Sequence, residues 1–494
     1  MIGEHPIQDF LANADRRVVA LVLGSALAVV SALIGVSLAF IGPIYTLGVL
    51  IALAGGVWMF AGVRNAMISI VLIIALLPYA TLPFEIILTP TFLDIAMGAF
   101  FFLYIGEWMT GYRRRLIVTP VHALIVMFML LGLLSFVAGL ANAPLTPTIL
   151  RQFAEMLLSI TFAMVLVDVL RTTDDLKMVI RVLLVAGAMG GLAAVVLWLL
   201  PDSLTENMLA RLAVIGYPDS GIIQYVEANP DLPERAIGLW ANPNSLGGFL
   251  VMAAALMAPQ AMAEKPLVGK RSYALAMLGV LVLALVLTFS RGSMLAFAAA
   301  LVFIAALRYP RLLLLLIVIA ALILVLPWTQ FYVQRLVEGF QGADLATQMR
   351  FGEYRDALTL VSRYPLLGVG FTGTPDVDIY LGVANVYLTI ASNMGLLGLS
   401  AFLLLMLAVF AMAWSARHAV KLHEGLDPIL LGLMAGLVGA LVNGLFDHYF
   451  FNIGFHPAVT ILWTFVGLTL ATASIARRAE AEAGFAQPLD EKSL

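Results

Sequence analysis

Arg291 stands almost alone in the most apolar stretch of the chain, between Leu281–Phe289 and Met294–Leu307, accompanied only by Ser290, Gly292 and Ser293. A guanidinium is tolerated there at a membrane boundary or facing a wet cavity in a helix bundle, and it then marks a functional site with an anionic partner. Arg151, Arg211, Arg235, Arg335, Arg350, Arg355 and Arg363 fall with Arg291 on one side of the inter-helix loops, and that side holds no lysine. Arginine stays charged and offers a planar fork of donors suited to phosphate or carboxylate oxygens, where lysine offers a compact point charge. Phosphate recognition is the chemistry this choice favours. The plain alternative is that these few loops simply lack lysine.

The elements that position these arginines follow from composition. Of 494 residues, 62% are hydrophobic and 12% are charged, with a mean hydropathy of +1.02; soluble domains carry about 25% charged residues. The chain reads as an all-α polytopic membrane protein forming one integral membrane domain over residues 1–494. A net charge of −3 gives no basis for a nucleic-acid partner, and the absence of cysteine excludes thiol catalysis, disulfides and thiolate metal sites. Glu4, His5 and Asp9 precede Arg16 and Arg17, unlike the cationic start of a cleaved signal, so the first apolar run is expected to stay as a span.

Runs long enough to cross about 30 Å of hydrocarbon number fourteen, or 12–14 when the short pairs are merged. They are Val18–Ile41, Ile44–Val63, Ala66–Thr81, Phe92–Met109, Val121–Leu140, Phe153–Leu170, Met178–Leu200, Ala236–Met257, Ala274–Phe289, Met294–Leu307, Leu312–Trp328, Val386–Trp414, Pro428–Phe446 and Ala458–Ala476. With these spans, 19 of the 27 lysines and arginines fall on one side of the membrane and eight on the other. The positive-inside rule then puts both termini, including the tail 477–494, in the cytoplasm and the arginine-only side outside.

Two outward loops are long: 201–235, rich in Pro, Asp, Glu and Asn, and 329–385, the most extended polar stretch. A structureless loop of that second length would be unusual, so it should hold helices and carry function. Arg350, Phe351, Tyr354, Ala357, Leu358 and Val361 recur at helical spacing with Arg355 and Arg363 interleaved. Phe331–Phe340 reads as a second short amphipathic helix lying on the outer leaflet. The Tyr364-Pro365-Leu366-Leu367-Gly368-Val369-Gly370-Phe371 turn follows, with glycines that permit close backbone approach and without a nucleotide-loop pattern.

Arg350 heading its helix, the Pro365–Gly370 turn, Asn385-x-Tyr387-Leu388 and Gly395-Leu396-Leu397-Gly398 together resemble the bacterial O-antigen ligase and O-antigen polymerase superfamily. Asn242-Pro243-Asn244 and Ser290-Arg291-Gly292 are similar to that family too, and the resemblance runs from about Arg235 to Phe450. It implies a GT-C-type glycosyltransferase of the inner membrane, working on the periplasmic face without cofactor, nucleotide sugar or metal. The donor would be an undecaprenyl-pyrophosphate-linked oligosaccharide and the acceptor a hydroxyl of a glycan or lipid-linked unit. Membrane lipids, and for a polymerase a chain-length regulator, would be the other partners.

On that resemblance Arg291 and Arg350 go to the pyrophosphate, whose developing charge guanidinium groups can stabilise at a dry interface. Asn242, Asn244, Ser290, Arg355, Asn385 and Tyr387 are expected at the substrate. Several have structural roles that account for them equally: a snorkelling anchor for Arg291, a solvated helix face for Arg350, a belt position for Tyr387 and an N-cap for Asn242 before Pro243. Family ligases carry a histidine just before the re-entry asparagine, where this chain has Ala384. Asp447 and His448, in the last outward turn, are the remaining candidates for the base, or else part of an interfacial belt. The missing histidine and the higher span count favour a polymerase over a ligase acting on an envelope acceptor. A flippase or transporter is the reading from another class, but no acidic residue sits at the centre of a span, as a transporter usually requires.

Overall fold

The computed structural model describes residues 15–84, 88–342, 345–374 and 382–485. Glu4, His5, Asp9 and the end of the tail, 486–494, lie outside the described residues. The chain divides into a unit of Met1–Ala66 and a unit of Met67–Leu494.

The smaller unit is built on α1 (Arg16–Phe60), whose start is capped by the Asp15 carboxylate accepting the Arg17 N–H at 2.9 Å. Gly42, at φ 77°, breaks it just before Pro43, whose ring and missing N–H prevent a regular turn. The break falls between the first two expected spans. α2 (Val63–Leu76) starts at the end of this unit and continues into the next.

The larger unit continues with α3 (Phe92–Met109), α4 (Val121–Gly139), α5 (Pro147–Val169), α6 (Thr173–Leu199) and a short α7 (Asp202–Ala210). An antiparallel pair, β1 (Gln224–Tyr225) with β2 (Glu234–Arg235), lies in the first long loop. Then come α8 (Pro243–Met262), α9 (Arg271–Leu287), α10 (Arg291–Leu307), α11 (Pro310–Val325), α12 (Gln330–Gln341), α13 (Leu345–Arg363), α14 (Val386–Ser415), α15 (Leu426–Asn443) and α16 (His456–Phe485). Among the described residues, eight helices are long and apolar enough to cross a membrane. α11 and α12 pass only together, bent by 93°, and Tyr45–Phe60, α2, α9 and α10 are shorter apolar helices. The protein is an all-α polytopic membrane protein.

α8 is apolar all round and is buried along nearly its whole length, as a central helix must be. α6, α9, α10 and α15 pack against it. α16 lies along α5, where the Ser159 and Thr460 hydroxyls meet at 2.9 Å, and is buried from Ala458 to Ala476. Several helix bounds differ from the sequence reading, two of them markedly. The span expected from Ala236 starts at Pro243, because Gly238–Trp240 forms a 3-10 turn and Asn242 caps the helix. α16 runs past the expected end at Ala476 to Phe485.

The glycine turn docks on a break in α14. Gly395 has φ 67° and ψ −173°, which interrupts the helix and frees backbone groups. The turn supplies their partners: Leu396 N–H donates to Pro365 O at 2.7 Å, Val369 N–H to Ser392 O at 2.8 Å and Gly370 N–H to Asn393 O at 3.0 Å. Ser135 of α4 donates to the Leu367 and Asn393 carbonyls, and Asn142 Nδ2 to Val369 O at 2.7 Å. These bonds satisfy peptide groups freed by the break, which stabilises an irregular segment here. The turn thereby fixes the C-terminal end of α13.

Candidate active site

A cavity of about 510 Å³ opens where α8 and α10 begin and α15 ends. Four arginines line it: Arg235 at the end of β2, Arg291 at the start of α10, Arg335 on α12 and Arg350 on α13. Glu227 and Asp447 are the carboxylates among the lining residues.

Each guanidinium is held differently. Arg235 donates from Nε to Thr288 O at 2.8 Å and from Nη2 to Asn244 Oδ1 at 2.5 Å. Burial, then the neighbouring charge of Arg335, pulls its pKa down to about 10, so it stays protonated at neutral pH. Arg291 donates from Nη1 to the Arg335 carbonyl at 2.6 Å, tying α12 across the start of α10. Arg335 lies 3.4 Å from Glu227 Oε1 and over the Phe331 ring at 5.8 Å. Arg350 makes no hydrogen bond or ion pair among the described residues, and its charge acts on Asp447, His448 and Arg235. Among the described lining residues, four guanidinium groups face two carboxylates, an arrangement that suits a polyanion.

Close approach at α10 shapes the cavity wall. A Cβ on Gly292 would lie 2.6 Å from Phe446 Cβ, so only glycine lets α10 meet the end of α15 here. Asn443 Nδ2 donates to Ser293 Oγ at 3.2 Å, and the Ser290 and Ser293 hydroxyls meet at 3.0 Å. Phe289 stacks on Tyr332 at 5.2 Å, which seats α12. Four described non-glycine residues have positive φ, and Glu227, Ala228 and Phe289, three of them, line this cavity. Such conformations cost about 1–3 kcal/mol each and gather at functional sites.

α13 is tied to the neighbouring helix ends. Glu353 Oε2 accepts the Ala384 N–H at 2.9 Å, and the Tyr354 hydroxyl reaches the Ala384 and Leu445 carbonyls at 3.4 and 3.3 Å. Arg350, one turn earlier, therefore faces the cavity. Asp447 Oδ1 accepts the His448 backbone N–H at 2.9 Å. Burial raises the Asp447 carboxyl to about 7 against the opposing pull of Arg350. Burial, then Arg350, pushes His448 down to about 4, leaving its imidazole neutral. His448 lines a second cavity of about 140 Å³, together with Ser392, Asn393 and Asn452.

Of the residues singled out in the sequence, Arg291, Arg350, Asp447, Asn244 and Ser290 line the larger cavity. His448 faces the smaller one. The others lie elsewhere. Asn242 caps α8, accepting the Asn244 and Ser245 N–H groups at 2.9 and 3.1 Å and the Tyr449 hydroxyl at 3.2 Å. Asn385 caps α14 through Leu388 N–H at 3.0 Å and donates to Leu445 O at 3.0 Å. Tyr387 donates to Leu441 O at 2.7 Å, and Arg355 is exposed on α13. Arg235, Arg335 and Asn443 had not been assigned to the site. The exclusive use of arginine on one side was the signal available for the first two.

A comparison with curated proteins finds no match. Residues 274–403 match the family model described as O-antigen ligase. This segment runs from α9 into α14 and supplies Arg291, Arg335 and Arg350 to the cavity. Over this segment the chain is similar to an O-antigen ligase domain, which supports the likeness to the O-antigen ligase and polymerase superfamily.

Proposed function

We propose that this protein is a polyprenyl-pyrophosphate-dependent glycosyltransferase that polymerises lipid-linked repeat units of O-antigen or exopolysaccharide on the periplasmic face of the inner membrane. The observation that carries the reading is the convergence of Arg235, Arg291, Arg335 and Arg350 on one cavity at the end of the bundle. A pyrophosphate leaving group carries its charge where such donors are already oriented. Asn244 and Ser290 stand beside them for sugar or phosphate oxygens.

In the proposed step an acceptor hydroxyl attacks the anomeric carbon of the donor glycan. The new glycosidic C–O bond forms as the C–O bond to pyrophosphate breaks, and undecaprenyl pyrophosphate leaves with the bonding electron pair. Asp447 takes the hydroxyl proton, since a carboxyl held near pH 7 is matched to a general base. His448, held near 4 and facing the smaller cavity, is the poorer match for the same proton.

The polymerase reading rests on Ala384, which stands where family ligases carry a histidine. The second reading is a ligase placing one glycan on an envelope acceptor, favoured by the description of the matching family. Reconstitution with undecaprenyl-pyrophosphate oligosaccharide separates them. A ladder of products supports polymerisation, and a single transfer that requires added acceptor supports ligation. Lipid movement between leaflets without turnover would instead support a flippase and end the transferase reading. Arg291→Lys should lose most activity while still folding, because charge without the planar fork is not equivalent; wild-type turnover would remove Arg291 from the pyrophosphate.

A further inference from the structure

A separate polar cluster lies at the same end of the bundle, with Asp94 and His456 in the first turns of α3 and α16 and Glu155 about two turns into α5. Asp94, Glu155 and His456 bring one ligand atom each to within 4.8 Å of one another. None of the three lines the arginine cavity.

The carboxylates are oriented from behind by Arg151. Its Nη2 lies 3.3 Å from Asp94 Oδ2 and its Nε 2.5 Å from Glu155 Oε1, while Nη1 donates to Thr89 O at 2.8 Å. Asp94 Oδ2 also accepts the Thr91 N–H at 2.8 Å, closing the N-cap of α3. Each carboxylate thus has one oxygen engaged with the guanidinium and turns the other towards His456. Asp94 Oδ1 and Glu155 Oε2 stand 3.5 and 3.8 Å from His456 Nδ1.

His456 is only 6% exposed, and neither ring nitrogen has a hydrogen-bond partner among the described residues. Buried polar atoms almost always have one, so a nitrogen left open beside two carboxylate oxygens points to something between them. The spacing identifies it. Ligand atoms at about 2.0–2.2 Å from a tetrahedral ion stand roughly 3.4 Å apart, close to the separations seen here.

We propose that Asp94, Glu155 and His456 bind one divalent first-row metal ion, with zinc preferred for an imidazole with carboxylates. Arg151 is the positioning residue behind the carboxylates. The ion ties α3, α5 and α16 together and takes no part in glycosyl transfer.

The test uses full-length protein in detergent, stripped with chelator and dialysed against zinc. The expected results are one tightly held equivalent, a melting temperature that rises on reloading, and binding at least about tenfold weaker in His456→Gln and Glu155→Gln. Should those variants not fold, X-ray absorption of the zinc-loaded wild-type protein reads the site directly. One imidazole with oxygen ligands at about 2.0–2.1 Å is expected. Absence of bound metal after zinc dialysis, equal retention by a folded His456→Gln, or a shell without imidazole would each overturn the proposal.

Discussion

Gly395→Ala tests the docking of the glycine turn on α14, on which the placement of Arg350 depends. At φ 67° and ψ −173° Gly395 occupies a region essentially reserved for glycine, and an alanine there costs about 1–3 kcal/mol in backbone strain alone. Its Cβ would collide with the Leu366 carbonyl and lie 2.6 Å from Leu367 N, so the turn must back away. The bonds from Leu396 N–H to Pro365 O, at 2.7 Å, and from Leu397 N–H to Leu366 O, at 3.4 Å, are the first to go. At about 0.5–1.5 kcal/mol each, their loss brings the total to about 2–6 kcal/mol. That is a large part of a typical folding free energy of about 5–15 kcal/mol. Unfolding in detergent, followed by the fluorescence of the seven tryptophans, measures the change. Gly98→Ala is the control: a Cβ there meets nothing within 4 Å, inside the regular helix α3, and should be neutral or stabilising by about 0.5–1 kcal/mol. If Gly395→Ala unfolds with the control, the packing argument is refuted.

Further outcomes follow from the cavity. Arg350→Ala should lower turnover by about 10²–10³-fold with the fold intact, as removal of one oriented donor does elsewhere; product formation from lipid-linked glycan checks it. Asp447 accepts a proton only when ionised, so activity should rise through about pH 7, and Asp447→Asn should abolish that limb of the profile. The same group gives an opposite trend in stability. Its folded pKa of about 7 lies above its ordinary 3.8, so its contribution is full below about pH 4 and fades as pH rises through 7. Melting temperatures at pH 5 and 8 should accordingly differ less in Asp447→Asn than in wild type. Asn242→Ala should cost about 1 kcal/mol of stability through the lost cap while changing turnover only slightly, which separates capping from substrate contact.

The helices were legible because apolar runs of membrane length leave little choice of structure. Even the break at Gly42 and Pro43 and the two helices of the long polar loop could be read locally. The larger cavity was legible in part: Arg291 by its apolar setting, and Arg350 by its place in a motif. Arg235 and Arg335 join it through a strand pair and a bent helix, whose placement is tertiary and leaves no periodic trace. Asn242, Asn385 and Tyr387 show the converse. Each sits in a motif near the site, yet each bonds neighbouring backbone, which for Asn242 is the capping already open in the sequence. The Asp94, Glu155 and His456 cluster carries no spacing signature, because its members come from three distant helices.

The matched segment, residues 274–403, builds only part of the cavity wall, while Arg235, Asn244, Asn443 and Asp447 come from either side of it. Transplanting that segment alone between relatives would split the arginine constellation from the carboxylate facing it. A chimaera meant to exchange glycan preference would therefore have to carry the β1–β2 loop and the turn after α15 as one inseparable graft.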